Sequence, residues 1–104
     1  MDKIDKLAEI FKALSDPTRL RLVKLLNECQ AGVCSGGPLC VNALANQLGV
    51  TQSAVSQHLR ILRQAGLVSG ARRGSFMHYS LDLDGLKKYR TAIRDTLGED
   101  FVTG

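Results

Sequence analysis

No apolar run in this chain of 104 residues approaches the roughly 18 residues that a bilayer-spanning helix needs. A membrane-spanning class is therefore excluded, and no membrane partner is expected. The opening stretch, MDKIDKLAEIFKAL, alternates charged with apolar residues and lacks the apolar region of a signal peptide. A cytoplasmic protein is expected. Internal repeats, linkers and low-complexity tracts are also missing, so residues 1–104 are expected to form one domain. The chain carries no phosphate loop, metallohydrolase motif or carboxylate pair, which argues against an enzyme and against an organic cofactor. Cysteine is scarce, with three in all, and every one falls in the stretch CQAGVCSGGPLC from Cys29 to Cys40. In a reducing compartment these thiols are not expected to form a structural disulfide.

One further absence is local. Residues 51–80 contain no Asp or Glu, yet they carry Arg60, Arg63, Arg72 and Arg73. Residues 1–50 hold six basic and five acidic groups, and residues 81–104 hold four and five. The whole net charge of +4 therefore sits in one segment. Such a field favours a polyanion, and nucleic acid is the most plausible one.

What is present organises the chain into helices and a hairpin. Ile4, Leu7, Ala8, Ile10, Phe11 and Leu14 form one helical stripe. SDPTRLRLVKLLNE starts a second helix, with Asp16 as its cap and Pro17 at its first position. AGVCSGGP reads as loop. NALANQLG reads as a short helix capped by Asn42, with Gly49 suited to a left-handed C-terminal position. Thr51 caps a longer helix that ends near Gly66. LVSGARRGSFMHYSL alternates like two strands about an Arg-Arg-Gly turn. A last helix is expected from about Gly85 to Leu97, capped by Asp84.

Two helices joined by LGVT and followed by a hairpin suggest a winged helix-turn-helix: mainly α with a β-hairpin wing, and about five helices. On an ideal wheel, Gln52, Ser53, Ser56, Gln57, Arg60, Arg63 and Gln64 occupy an arc of roughly 140°. Ala54, Val55, Leu59, Ile61, Leu62 and Ala65 fall on the other side. A surface helix usually mixes Glu with Lys; this polar arc instead offers amide, hydroxyl and guanidinium groups, which bond base edges and phosphates. Thr51, Gln52, Ser53, Ser56 and Gln57 cluster at the helix N-terminus, the end that such helices insert into the major groove. Base or near-base contacts are expected from Gln52, Ser53, Ser56 and Gln57, and phosphate contacts from Arg60 and Arg63. Arg72 and Arg73, near the hairpin tip, are placed to reach the minor groove or flanking backbone. His58, on the apolar side, is expected to pack rather than read bases, and His78 in the second hairpin strand to play a structural part. With both histidines in this half, a cysteine nucleophile would lack a base.

LSDPTRLRLVKLL and LCVNALANQLGVTQSAVSQHLRILRQAGLVSGARRGSFMHYSL resemble the arsenic-repressor (ArsR/SmtB) family of bacterial winged-helix regulators. The similarity runs from about Ile4 to Leu97, and TQSAVSQHLRILRQAGLV is its specific signature. The resemblance implies a homodimer that binds double-stranded operator DNA at an imperfect inverted repeat and lets go when an inducer binds. Known inducers in the family are metalloids, soft or borderline metals, and reactive sulfur or oxidants. A dimer also fits Leu86, Tyr89, Ile93 and Leu97, a narrow apolar seam on the last helix, which would pair through the terminal helices. The alternative is that both terminal helices pack on their own domain.

Two departures from the family concern the inducer. The last helix has no histidine, so the family's inter-subunit zinc or nickel site is not expected. Arsenic-sensing members often carry Cys-Val-Cys-Asp where this chain has Cys40-Val41-Asn42-Ala43, and Asn42 cannot replace a thiolate. Cys29, Cys34 and Cys40, spaced C-x4-C-x5-C, are candidates to make up the loss. Three sulfurs suit As(III) or Sb(III), or another thiophilic metal ion; zinc would need a fourth donor. Thiol oxidation or reactive-sulfur sensing is the main alternative, since loop thiols are accessible. An iron–sulfur cluster, buried structural cysteines, and a DNA-binding protein without an inducer remain as further readings.

Overall fold

A computed structural model describes residues 2–30 and 39–103. The elements run α1 (Lys3–Leu14), α2 (Pro17–Gln30), β1 (Leu39–Cys40), α3 (Val41–Leu48), α4 (Gln52–Gln64), β2 (Val68–Arg73), β3 (Phe76–Leu81), α5 (Leu83–Leu97) and α6 (Glu99–Thr103). The chain is mostly helical with an antiparallel hairpin, as expected. Six helices are described rather than about five, because Gly98, at φ +98°, separates a short α6 from α5. Among the described residues no helix is long and apolar enough to cross a membrane. The loop expected over AGVCSGGP lies outside the described residues.

Caps fix where the helices begin. Asp16 Oδ1 accepts the backbone N–H of Thr18 at 2.8 Å and of Arg19 at 3.1 Å, so α2 starts at Pro17 as its sequence requires. Thr51 accepts the N–H of Ala54 at 3.1 Å and starts α4. Two expected caps are corrected. Helix α3 is capped at Cys40, with no side-chain hydrogen bond, and Asn42 lies inside the helix. Helix α5 is capped by Asp82, whose carboxylate accepts the N–H of Gly85 at 3.0 Å; Asp84 falls in the first turn. The Asp82 backbone N–H also bonds the Leu67 carbonyl at 2.9 Å, which ends β3 and sets that start point.

The sheet has three strands in the order β1-β3-β2, all antiparallel. Pairing runs from Val68 with Leu81 to Arg73 with Phe76, so the hairpin turn is Gly74–Ser75, and Arg72 and Arg73 belong to β2 rather than to the turn. Gly74 supplies the positive φ of +62° that such a tight turn demands.

Leu22, Leu26, Leu44, Leu59, Leu62 and Leu67 are fully buried at the centre of the core, where α2, α3 and α4 meet. Helix α5 closes over it. Gly85 lies so near the end of α4 that an added Cβ would stand 2.0 Å from the Gly66 carbonyl oxygen. The Tyr89 hydroxyl donates to the Ala65 carbonyl at the same junction. Burial, helped by the charge of Glu9, holds the Tyr89 phenol above its ordinary pKa, which keeps the donor protonated.

The stripe expected on α1 splits in two. Leu7 and Ile10 are buried, joined by Ala13, whereas Ile4 is 57 % and Phe11 38 % exposed. The seam on α5 divides likewise: Leu86, Tyr89 and Ile93 pack partly against their own core, and Leu97 stays exposed.

Candidate nucleic-acid interface and thiol cluster

Helices α3 and α4 are joined by a turn that their sequence dictates. Gly49 adopts φ +68°, a left-handed conformation, and its N–H closes on the Ala45 carbonyl at 2.9 Å. Val50 then leads into Thr51, an extended residue that caps α4. Val55, Leu59 and Leu62, spaced by four and three, are buried and fix the rotation of α4 about its axis.

That rotation leaves Thr51, Gln52, Ser53, Ser56, Gln57, Arg60 and Arg63 exposed on α4 and its cap, and Arg72 and Arg73 exposed on β2. All nine candidate contact residues are thus at the surface. Ile61 is corrected: expected on the apolar side, it is 37 % exposed. It follows Gln57 by four residues, about 40° around the helix, and so flanks the polar arc.

Gln52 is not a loose side chain. Its Nε2 donates to Asn42 Oδ1 at 2.9 Å, linking the first turns of α3 and α4. The local sequence around Asn42 suggests a cap and gives no sign of this bond; only the packing of α3 against α4 brings positions 42 and 52 together. His58 does what a packed histidine does. It is half-buried, with Nδ1 3.3 Å from Arg19 Nη1, while Arg19 Nε donates to the Ala13 carbonyl at 2.6 Å. Guanidinium groups only donate, so the neutral imidazole accepts at Nδ1, and the contact helps join α2 to α4 when the ring is uncharged.

Of the three candidate thiols, Cys29 is buried in the last turn of α2, at 5 % exposure, and Cys40 is half-buried at the start of α3. Cys34 lies outside the described residues. Among the described residues no three Cys, His, Asp or Glu side chains gather as a metal-binding group. Cys40 belongs to β1, where its sequence context points only to the start of a helix, and its strand partner is His78.

Residues 16–69 match the model of a family described as bacterial regulatory protein, arsR family. The chain is 40 % identical over 88 residues to an uncharacterized HTH-type transcriptional regulator of Methanocaldococcus jannaschii, covering 85 % of this chain and 91 % of that protein. It is 40 % identical over 73 residues to the arsenical resistance operon repressor of Escherichia coli, covering 70 % of this chain and 56 % of the repressor. Its fold resembles the homodimeric winged helix-turn-helix DNA-binding domain of a possible ArsR-family transcriptional regulator from Mycobacterium bovis. There the TM-score is 0.68 and the identity 26 %, over 94 % of this chain and 83 % of that one. The family consists of transcriptional regulators and not of enzymes, and the match spans α2, α3, α4 and the start of the hairpin. With its Thr51-capped α4 and basic hairpin, the chain belongs to the arsR family of bacterial regulatory proteins.

Proposed function

We propose that this chain acts, as one domain, in a homodimeric repressor of inverted-repeat operator DNA, released when a thiophilic inducer binds Cys29, Cys34 and Cys40. The inducer class is As(III) or Sb(III), or a soft metal. The observation that carries the DNA reading is the acid-free surface of α4 and β2, on which all nine candidate residues are exposed. Gln52, Ser53, Ser56 and Gln57 face the base edges, Arg60 and Arg63 the phosphates, and Arg72 and Arg73 the minor groove or flanking backbone. The dimer is supported by the homodimeric Mycobacterium bovis domain and by exposed apolar residues on the terminal helices: Ile4, Phe11, Leu97 and Phe101. A monomer by light scattering at micromolar concentration would sink it.

The thiol reading draws on the kinship with an arsenical resistance repressor and on the place of Cys40. Cys40 caps α3, and two residues on, Asn42 holds Gln52 of the reading helix. An inducer that moves Cys40 therefore moves a base-contacting side chain through two residues of α3 and one hydrogen bond. A coupling of about 1–3 kcal/mol between inducer and DNA is enough for a large change in occupancy.

The test is a thiol count on anaerobically reduced protein before and after stoichiometric arsenite, with operator affinity measured alongside. The expected result is loss of three reactive thiols per subunit together with weakened DNA binding. Protein with all three cysteines changed to serine should bind the operator normally and ignore arsenite. Induction that survives in that variant would refute the thiol site. Thiols that ignore arsenite but respond to oxidants or persulfide would transfer the role to redox or reactive-sulfur sensing.

A further inference from the structure

Phe76 is a large apolar side chain that folding leaves in water. It is 62 % exposed, and among the exposed large apolar residues described only Phe101 is more so. Phe101 belongs to the terminal helix α6, whereas Phe76 opens β3 at the tip of the hairpin, directly after the Gly74–Ser75 turn. Its neighbours show what a folding role on this hairpin looks like. Val68 and Leu81 are buried at the base. Farther out, a Cβ added at Gly70 would stand 2.9 Å from Met77 Cε and 3.1 Å from Tyr79 Cε1, so these two side chains fill the place above the glycine. All these residues share one face, because side chains alternate along a strand. The same alternation puts Phe76 on the opposite face, with Arg73 directly across from it.

The tip is a thin edge. Its two strands stand about 4.7–4.9 Å apart, and small residues, Gly74 and Ser75, close it. Among the described residues, no heavy atom comes within 4 Å of where a Gly74 Cβ would be. All of residues 69–76 are exposed, and residues 51–80 contain no acid. A cationic edge attracts a polyanion. The phenyl ring beside those cations asks in addition for an apolar surface on which to leave water. Duplex DNA offers both, with phosphates along the rims of the groove and the faces of stacked base pairs within.

We propose that Phe76 is an apolar wedge that enters the minor groove beside the sequence contacted by α4 and parts a base step there. The proposal rests on the reading of α4 and β2 as a DNA-contacting surface, and it adds to that reading a residue and a deformation. Arg72 and Arg73 hold flanking phosphates while the ring replaces part of one base-stacking contact. Apolar wedges of this kind kink the duplex toward the major groove. Parting is easiest at pyrimidine–purine steps such as TA and CA, which are the flexible ones. Phe76 therefore confers a sequence preference at a step whose base edges no side chain needs to touch.

The experiment uses a duplex that the wild-type protein selects from a randomised pool. 2-Aminopurine replaces each adenine of both strands in turn, and its fluorescence reports unstacking in complexes with wild type, Phe76→Leu and Phe76→Ser. Affinities are measured with the brightened step kept or changed to a purine–purine step. Wild type should brighten one pyrimidine–purine step outside the bases contacted by α4. Phe76→Leu, which keeps an apolar wedge, should brighten the same step, and Phe76→Ser should not. Changing the step should weaken wild type about fivefold or more and leave Phe76→Ser unaffected. Urea midpoints of both variants should match wild type, because the ring is exposed and its loss leaves the core intact. A selected duplex in which no adenine brightens, or brightening that persists in Phe76→Ser, overturns the wedge and leaves the DNA reading standing. Failure of wild type to enrich any sequence overturns the operator reading and the wedge with it.

Discussion

Helix α4 and the cysteine-bearing region, at the end of α2 and the start of α3, divide their labour differently. On α4, folding belongs to Val55, Leu59 and Leu62, which are buried, and the proposed DNA contacts belong to side chains that leave the opposite face. No candidate base-contacting side chain of the helix is buried. At the cysteine end one residue holds several posts: Cys40 pairs with β3, caps α3 and offers a thiol, while Cys29 is buried in the last turn of α2. Separable faces allow a regulator to change its operator without changing its stability. Shared posts make the proposed thiol site difficult to alter without disturbing the fold, and they connect Cys40 to the start of α3.

The sharpest way to break this contrast is to compare neighbours on α4. Leu62→Ala removes a fully buried side chain and should cost about 2–5 kcal/mol in urea denaturation. Arg63→Ala, one residue on and exposed, should stay within about 0.5 kcal/mol of wild type in stability yet bind DNA more weakly. Comparable losses of stability in the two variants would end the claim that the faces are separable. Within the reading surface itself, Gln57→Ala should lower affinity for the operator by about 1–3 kcal/mol relative to scrambled DNA. Arg72→Ala should instead weaken every sequence alike and reduce the salt slope by about one. Loss confined to one operator sequence in Arg72→Ala would move that residue from phosphate to base contact.

The same contrast explains which parts of the fold and of the candidate site are legible in the amino-acid sequence. Helix α4 announces itself because its signals are local: a Thr51 cap, a 3.6-residue period and an acid-free arc all lie within fourteen consecutive residues. The hairpin follows from alternation about glycine, down to a residue or two at its turn. What escapes is non-local. Strand β1 is two residues long and exists only by pairing with β3, so Leu39 and Cys40 carry no period of their own. Asp82 and Asp84 are equally good caps in sequence; the bond from Asp82 N–H to the Leu67 carbonyl and the close seat of Gly85 on Gly66 decide between them. The apolar residues of α1 and α5 are identifiable as such. Which of them face the core and which remain for a partner depends on how the two helices cross, a relation that includes the exposed Lys3–Asp95 ion pair at 3.4 Å. The Asn42–Gln52 bond and the Cys40–His78 strand pair are tertiary facts of the same kind, and the proposed thiol site is the least legible feature because its ligands would have to converge from separate parts of the chain.

Helix α2 joins the two regions, with Cys29 near its end and Arg19 beside His58 of α4 near its start, so its N-cap offers a gentle perturbation of both. The backbone N–H of Arg19 is the main cause that holds the Asp16 carboxyl below the ordinary 3.8; slight burial opposes it, and the N–H of Thr18 and the charges of Arg19 and His58 assist. A carboxylate with a depressed pKa stabilises the fold fully above its unfolded value, and that stabilisation is lost as pH falls through the folded value. Asp16→Asn keeps a capping acceptor and removes the titration. Wild type should therefore exceed Asp16→Asn in urea midpoint near neutrality, and the gap should close as the pH drops below 3.8. Curves that stay parallel through the acid range would show that the Asp16 charge contributes nothing to this joint, leaving the cap's hydrogen bonds alone to hold α2 in register with α4.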